Sequence, residues 1–308
     1  MEVMSTKSSP ILPKKPLMWI LAAFLLLITI YGGIGLYIAN IFTKPSNNTI
    51  DKPATVINSK FEDVSFITSD KVHLKGWVFP GTSDKAILLV HGLNQNRLNY
   101  DYDGVDIVKE LLAKGYTVMV FDLRGYGDSE KTRIGYGFVE DRDVIAAVKV
   151  LKDRQIAPAK IGIIADSLGA ISTLHAAPEL TDIGAIVADS STSDMQQLIS
   201  DRMVIDKHIP RFFHPGVFLM ARLVFGIPIT SRMPLTSVHE TPERVYLFLH
   251  GEKDTYIPHI NSERLLQAAN PKSQLVTFTG AEHVQTYKTN PDLYRNSVFT
   301  FLDQQLGN

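Results

Sequence analysis

From about position 60 onward, short apolar runs alternate with stretches of helical spacing. Residues 61–68 and 72–80 read as an antiparallel strand pair, with Ser69 and Asp70 near the turn. The run AILLV at 86–90 is apolar throughout, the pattern of a strand covered on both faces. A helix is predicted over 103–114, closing at Gly115, followed by a strand at 116–121 and a helix at 138–153. A strand at 160–165, a helix at 168–177 and a strand at 183–188 come next. Between about 192 and 242 the alternation stops. That stretch carries Met, Phe and Arg with scattered prolines and no strand pattern, and is read as an inserted helical cap. A strand at 244–249, a helix at 260–269, a strand at 274–279 and a helix at 291–305 complete the series. Repeated strand–helix units predict an α/β domain over 59–308, with a mostly parallel central sheet and helices on both faces.

The N-terminal pattern is of another kind. Residues 17–42 contain no charge and are long enough for a transmembrane helix, with Trp19 and Tyr37 near the two ends. A cleaved signal peptide is the competing reading. Its apolar region is usually shorter, and the one candidate cleavage site, near Ala39, has Tyr37 where a small residue is preferred. Lys7, Lys14 and Lys15 precede the span, opposed by Glu2, while Lys44, Asp51 and Lys52 follow it. The small basic excess predicts a single-pass protein with a cytoplasmic N-terminus and an extracytoplasmic main domain. Gly35 and Ala39 form one small-xxx-small pair, which alone is read as chance. Residues 1–16, with three prolines, read as a tail, and 43–58, rich in Pro, Asn and Thr, as a spacer.

Composition narrows the chemistry. The formal net charge is −1, so no overall field draws nucleic acid or acidic ligands. The chain has no cysteine, which removes disulfides, thiolate metal sites and a cysteine nucleophile. No histidine spacing of a metal motif and no glycine-rich nucleotide loop occurs, so neither metal nor nucleotide cofactor is expected.

In sheets of this kind functional groups gather where strands end at the carboxyl edge. The predicted endings are His91-Gly92-Leu93-Asn94, Asp122-Leu123-Arg124-Gly125-Tyr126-Gly127-Asp128-Ser129, Asp166-Ser167-Leu168-Gly169, His250-Gly251-Glu252-Lys253-Asp254 and Gly280-Ala281-Glu282-His283. Taken alone, Ser167 is a helix N-cap serine and His283 a loop histidine. The ordered set resembles the α/β-hydrolase superfamily, and within it the BEM46 and ABHD13/ABHD17-like serine hydrolases, over residues 60–308. The resemblance implies a triad of Ser167 as nucleophile, His283 as base and Asp254 as acid, in the chain order of that superfamily. Asp189 is the rival acid, because it follows the preceding strand. Ala165 and Gly169 supply the small residues that a nucleophile elbow needs, alanine standing where the motif usually has glycine. The backbone N–H groups of Leu93 and Leu168 are the implied oxyanion donors, and Asn96 a brace for their loop. Asp166 is unusual beside a nucleophile, and serves either the helix cap or the local potential. His91 and His250 are read as backbone supports, and Arg124 as an ion-pair partner.

The implied reaction is acyl transfer to water, on an ester, thioester or amide. Met195, Met203, Phe212, Phe213, Phe218, Met220 and Phe225 of the cap either line an apolar acyl pocket or pack the cap onto the domain. A peptidase of the same fold and a non-catalytic binding protein on a hydrolase scaffold are the alternatives. The latter class usually lacks a triad member.

Overall fold

The structure is a computed structural model that describes residues 14–46, 49–50, 53–98 and 104–307. The expected tail, apart from 14–16, and the linker residues Asn47, Asn48, Asp51 and Lys52 lie outside the described residues. Among the described residues eight strands form one sheet: β1 Glu62–Ile67, β2 His73–Phe79, β3 Ala86–Val90, β4 Thr117–Phe121, β5 Ile161–Asp166, β6 Ala185–Asp189, β7 Tyr246–Gly251 and β8 Gln274–Phe278. Their spatial order is β1-β2-β4-β3-β5-β6-β7-β8. The first three in that order pair antiparallel and the rest run parallel.

Helices α2 Gly104–Ala113, α3 Asp141–Asp153, α4 Ser167–Ala176, α8 Ile260–Ala268, α9 Thr286–Thr289 and α10 Pro291–Leu306 cover the sheet. Burial explains the sequence patterns. In α3 the buried positions Val144, Ala147, Val148 and Leu151 repeat at helical spacing. Every residue of α4 is buried, so that segment shows almost no amphipathic signal. Strands β3 to β7 are apolar because both of their faces are covered. One buried cluster lies on each side of the sheet, one holding Leu88, Met119 and Phe248, the other Ile87, Val120 and Leu249.

The 192–242 interruption holds α5 Met195–Lys207, α6 His214–Phe225 and α7 Pro234–His239. The Asp194 carboxylate caps α5 by accepting from the Gln197 N–H at 2.8 Å. Gly226, with φ 69, closes α6 in the left-handed conformation.

The N-terminal helix α1 Lys14–Phe42 contains the apolar span Pro16–Phe42. It differs from a free tether. Its last turns pack on α6: Ala39 is buried, and a Cβ on Gly35 would come within 2.8 Å of the Gly216 carbonyl. The Gly35/Ala39 pair, read as chance, is therefore a packing face against the chain's own cap. The described linker residues are docked as well. The Ser46 N–H donates to the Gly125 carbonyl, and Ala54 and Ile57 of a short 3-10 turn are buried. Within the expected spacer, Ser46, Ala54 and Ile57 are thus held on the domain.

The buried His175 of α4 sets an acid limit. Its Nδ1–H donates to the Gly137 carbonyl at 2.9 Å, while Nε2 is buried without a hydrogen-bond partner. Burial pushes its pKa down to about 4, the Gly137 carbonyl offsetting part of this. The unfolded chain binds that proton near pH 6.5 and the folded chain does not. Stability from this group is thus present above pH 6.5 and is lost as pH falls from there to about 4, by about 3 kcal/mol. Denaturant titration at pH 7 and pH 4.5 should give a smaller loss in His175→Asn than in the wild type. An equal loss would assign the acid sensitivity elsewhere.

Candidate active site

The site is built where β5 meets α4. Ser167 has φ 45, a left-handed conformation that a serine adopts at a cost of about 1–3 kcal/mol. The tight turn brings α4 against β3, where a Cβ on Gly169 would sit 2.2 Å from the Val90 carbonyl oxygen. Ala165 is fully covered on the other side of the turn. These are the physical reasons that both positions flanking the serine are small.

The loop after β3 reaches the same point. A Cβ on Gly92 would meet Asp166 Oδ1 at 2.6 Å and Ser167 Cβ at 3.1 Å, so only glycine permits this approach. The Gln95 side chain accepts from the Gly92 N–H at 2.7 Å and braces the loop. Asn96, expected to do this, instead donates to the Thr49 carbonyl and accepts from the Leu98 N–H. His91 accepts from the Leu123 N–H with Nε2, which leaves its proton on Nδ1, donating to the Gly92 carbonyl. Burial pushes His91 down, keeping it neutral.

The other two triad candidates arrive from the loops after β7 and β8. Ser167 Oγ lies 2.9 Å from His283 Nε2, and His283 Nδ1 lies 2.6 Å from Asp254 Oδ2. A carboxylate only accepts, so the imidazole proton sits on Nδ1 and the serine hydroxyl donates to Nε2. Burial alone would raise the Asp254 pKa. Hydrogen bonds from His250 and His283, with the Ile257 N–H, outweigh it and hold the carboxyl down at about 2. Its Oδ1 accepts from the Tyr256 and Ile257 N–H groups at 2.9 and 2.7 Å. His250 ties this loop down through the Ile257 carbonyl and the Ser262 hydroxyl.

Asp189 sits elsewhere. It is the register partner of Asp166 at the end of β6 and accepts from the Ser190 and Thr286 hydroxyls. Burial pushes its carboxyl up to about 6, and the Thr286 and Ser190 hydrogen bonds offset part of that. The Val284 N–H donates to the Ser190 hydroxyl at 3.2 Å, so Asp189 and Ser190 together pin the segment that follows His283. Asp166 does not cap α4; its carboxylate faces the Gly92 loop and a cavity shared with Asp189.

A mostly apolar pocket opens beside Ser167, with Leu93 and Leu168 both in its wall. Met195, Leu198 and Ile199 of α5 line it, as do Tyr256 and Phe42, the last residue of α1. Tyr256 also packs on His283, ring centroids 5.0 Å apart. Of the seven cap residues singled out by type, only Met195 reaches this pocket. Met203 and Phe218 are buried in the cap, and Phe212 and Phe213 pack on Tyr31 of α1. Phe225 lies under the Arg133 guanidinium. Packing, not ligand binding, occupies most of them.

The segment after β4 is structural. The Asp122 carboxylate accepts from Arg97 and from the Asp128 N–H, and a Cβ on Gly127 (φ 44) would overlap it. Arg124 pairs with Asp143 and Asp70, as an ion-pair partner should. Among the described residues no group of three His, Asp or Glu side chains could hold a metal ion.

A family model described as the α/β hydrolase fold matches residues 85–214. The esterase Pf2001 of Pyrococcus furiosus superposes with a TM-score of 0.72 at 26% identity, covering 86% of this chain and 99% of that one. The chain has the α/β-hydrolase fold. Two relatives in sequence are also similar along most of their length. The uncharacterized protein YqkD of Bacillus subtilis is 28% identical over 234 residues, 75% of either chain. The uncharacterized membrane protein YNL320W of Saccharomyces cerevisiae is 25% identical over 235 residues, 76% of either chain. On this α/β-hydrolase scaffold the likeness to esterases supports hydrolase function. Four contributors escaped the sequence reading: Gln95, Tyr256, Thr286 and Phe42. None belongs to a motif, and Phe42 comes from the apolar helix.

The elbow yields a stability prediction for this α/β-hydrolase fold. Gly169→Ala forces α4 or β3 to move and should lower the unfolding free energy by about 1–3 kcal/mol. Denaturant titration of the detergent-solubilised protein measures it. Unchanged stability would contradict the close approach.

Proposed function

We propose that the protein is a membrane-anchored serine hydrolase that cleaves an acyl ester or thioester through a covalent acyl-enzyme on Ser167. The observation that carries the reading is the continuous hydrogen-bond chain from the Ser167 hydroxyl through His283 to Asp254, at the wall of an apolar pocket. In this reading Ser167 Oγ attacks the acyl carbon as its proton passes to His283 Nε2. The carbonyl oxygen becomes an oxyanion, held by the Leu93 and Leu168 N–H groups. The carbon–oxygen or carbon–sulfur bond to the leaving group breaks, and that group takes the proton from Nε2. Water then repeats the sequence on the acyl-enzyme, releasing a carboxylic acid and restoring Ser167. Asp254 keeps the imidazole in the required tautomer and stabilises its charged form. No metal or cofactor takes part.

We place the protein in the BEM46-like group, with the catalytic domain over 59–308 and α1 as its single membrane span. The N-terminus is cytoplasmic and the domain extracytoplasmic. Support for the anchor comes from the length and apolarity of α1. The membrane designation of the yeast relative agrees with it.

Hydrolysis of p-nitrophenyl esters of increasing chain length by the full-length protein tests the chemistry. Ser167→Ala and His283→Ala should each lose at least ~10³-fold in kcat, and Asp254→Asn about 10⁴-fold, while Asp189→Asn should lose much less. Substantial turnover remaining in Ser167→Ala, or equal losses at the two aspartates, would contradict these assignments.

A further inference from the structure

The exposed part of α1 is too short to cross a bilayer by itself. Residues 16–30 are exposed all round, and half-burial begins at Tyr31. Fifteen helical residues reach about 22 Å. A bilayer's hydrocarbon core is about 30 Å thick and takes about 20 residues. A span that starts at Pro16 therefore needs the helix through about Gly35, and that turn is where the cap is seated.

The seating is tight. The Tyr31 hydroxyl donates to the Phe212 carbonyl at 2.8 Å and accepts from the Gly216 N–H at 3.2 Å. Gly35 lies against the Gly216 backbone, where a Cβ would meet it at 2.8 Å. At the other end Arg133 covers the Phe225 ring and bonds to Asn40 and Thr43. So α6 runs alongside the last third of α1, with Phe212 and Gly216 toward the span and Phe225 toward the polar end. No flexible joint separates the two helices.

The exposed face of α6 with Phe212 is largely apolar, and the Arg211–Asp201 ion pair lies beside it. Phe212 is 72% exposed, Leu223 68%, Val224 53% and Leu219 50%. These side chains continue the exposed apolar surface of α1. Arg222, on the same helix, is long enough to reach headgroups while its stem stays in the apolar layer.

We propose that Phe212 and the first turns of α6 are inserted into the lipid leaflet on the domain side, beside α1. The depth follows from the helix rise. With Tyr37 at the interface, Tyr31 and its partner Phe212 lie about 9 Å below it, within the 5–10 Å typical of interfacial helices. The inference rests on α1 spanning a membrane. It also deepens the hydrolase reading. The pocket wall includes Phe42, at the end of the same helix, so the acyl group is drawn from the leaflet rather than from bulk water.

Fluorescence in vesicles tests the insertion. The full-length protein is placed in phosphatidylcholine vesicles with or without brominated acyl chains. Phe212→Trp and Lys109→Trp are each made in a Trp19→Phe background, and the parent protein keeps Trp19; Trp77 is common to all and buried. Bromine should quench Trp19 and the tryptophan at 212, and spare the one at 109. Quenching of Trp19 without quenching at 212 would overturn the insertion while leaving the anchor. Emission at 212 that ignores bromine but changes on dilution would assign this face to a second copy, which also overturns it. Absence of quenching at both 19 and 212 would remove the anchor and the insertion together.

The source of the acyl group is read separately. Replacing both Phe212 and Leu219 with Glu should lower hydrolysis of a long-chain ester carried in vesicles about tenfold or more, leaving a short soluble ester within about twofold. Equal effects on the two esters would contradict supply from the leaflet. A wild-type protein inactive on both would sink the hydrolase reading without touching the fluorescence result.

Discussion

The site depends on one close approach, the packing of α4 against the end of β3 across the Ser167 turn. With Gly169 pressed on the Val90 carbonyl, the serine is left in a left-handed conformation. That conformation lifts its hydroxyl off the sheet edge and toward the loops that follow β7 and β8. The same approach brings Gly92 to the elbow, so Leu93 and Leu168 share one pocket wall. Enlarging any one of these small residues moves the others, because protein interiors deform little. The strain at Ser167 is sustained by the full burial of α4 between the sheet and its neighbours.

Around this turn the polar groups form a supporting frame. Asp254 has donors on both oxygens, and His250 fixes the loop that carries it. The rival carboxylate, Asp189, holds the segment after His283 through Thr286, with Ser190 bonding the Val284 N–H. Two acids at successive strand ends thus divide the work, one orienting the imidazole and the other anchoring its loop. Environment separates them: imidazole and backbone N–H donors hold Asp254 low, and burial with two hydroxyl donors leaves Asp189 high.

Most of the fold was legible because its strands are short apolar runs with turn residues between them, and because motif residues fall at their carboxyl ends. Ser167, His283, Asp254, Leu93 and Leu168 are nominated through the resemblance carried by the strand-end motifs; in the structure Ser167, His283 and Asp254 are joined by hydrogen bonds, and Ser167, Leu93 and Leu168 share one pocket wall. What sequence could not supply was partnership across the chain. Residue type drew attention to the cap aromatics, yet their neighbours lie in α1 and on Arg133, far away in sequence. Gln95 and Asn96 are adjacent and chemically alike, and only geometry decides which one bonds Gly92. The segment 43–58 has a linker's composition, while Ala54 and Ile57 show their packing role only when buried.

The central claim is that Ser167 is made nucleophilic by His283. Reaction of the folded, full-length protein with a fluorophosphonate tests it most directly, with the adduct mapped by peptide mass spectrometry. One phosphonyl group on Ser167, absent in His283→Ala as well as in Ser167→Ala, is the predicted result. An unmodified wild-type protein that is demonstrably folded, or an adduct at any other residue, would contradict the account.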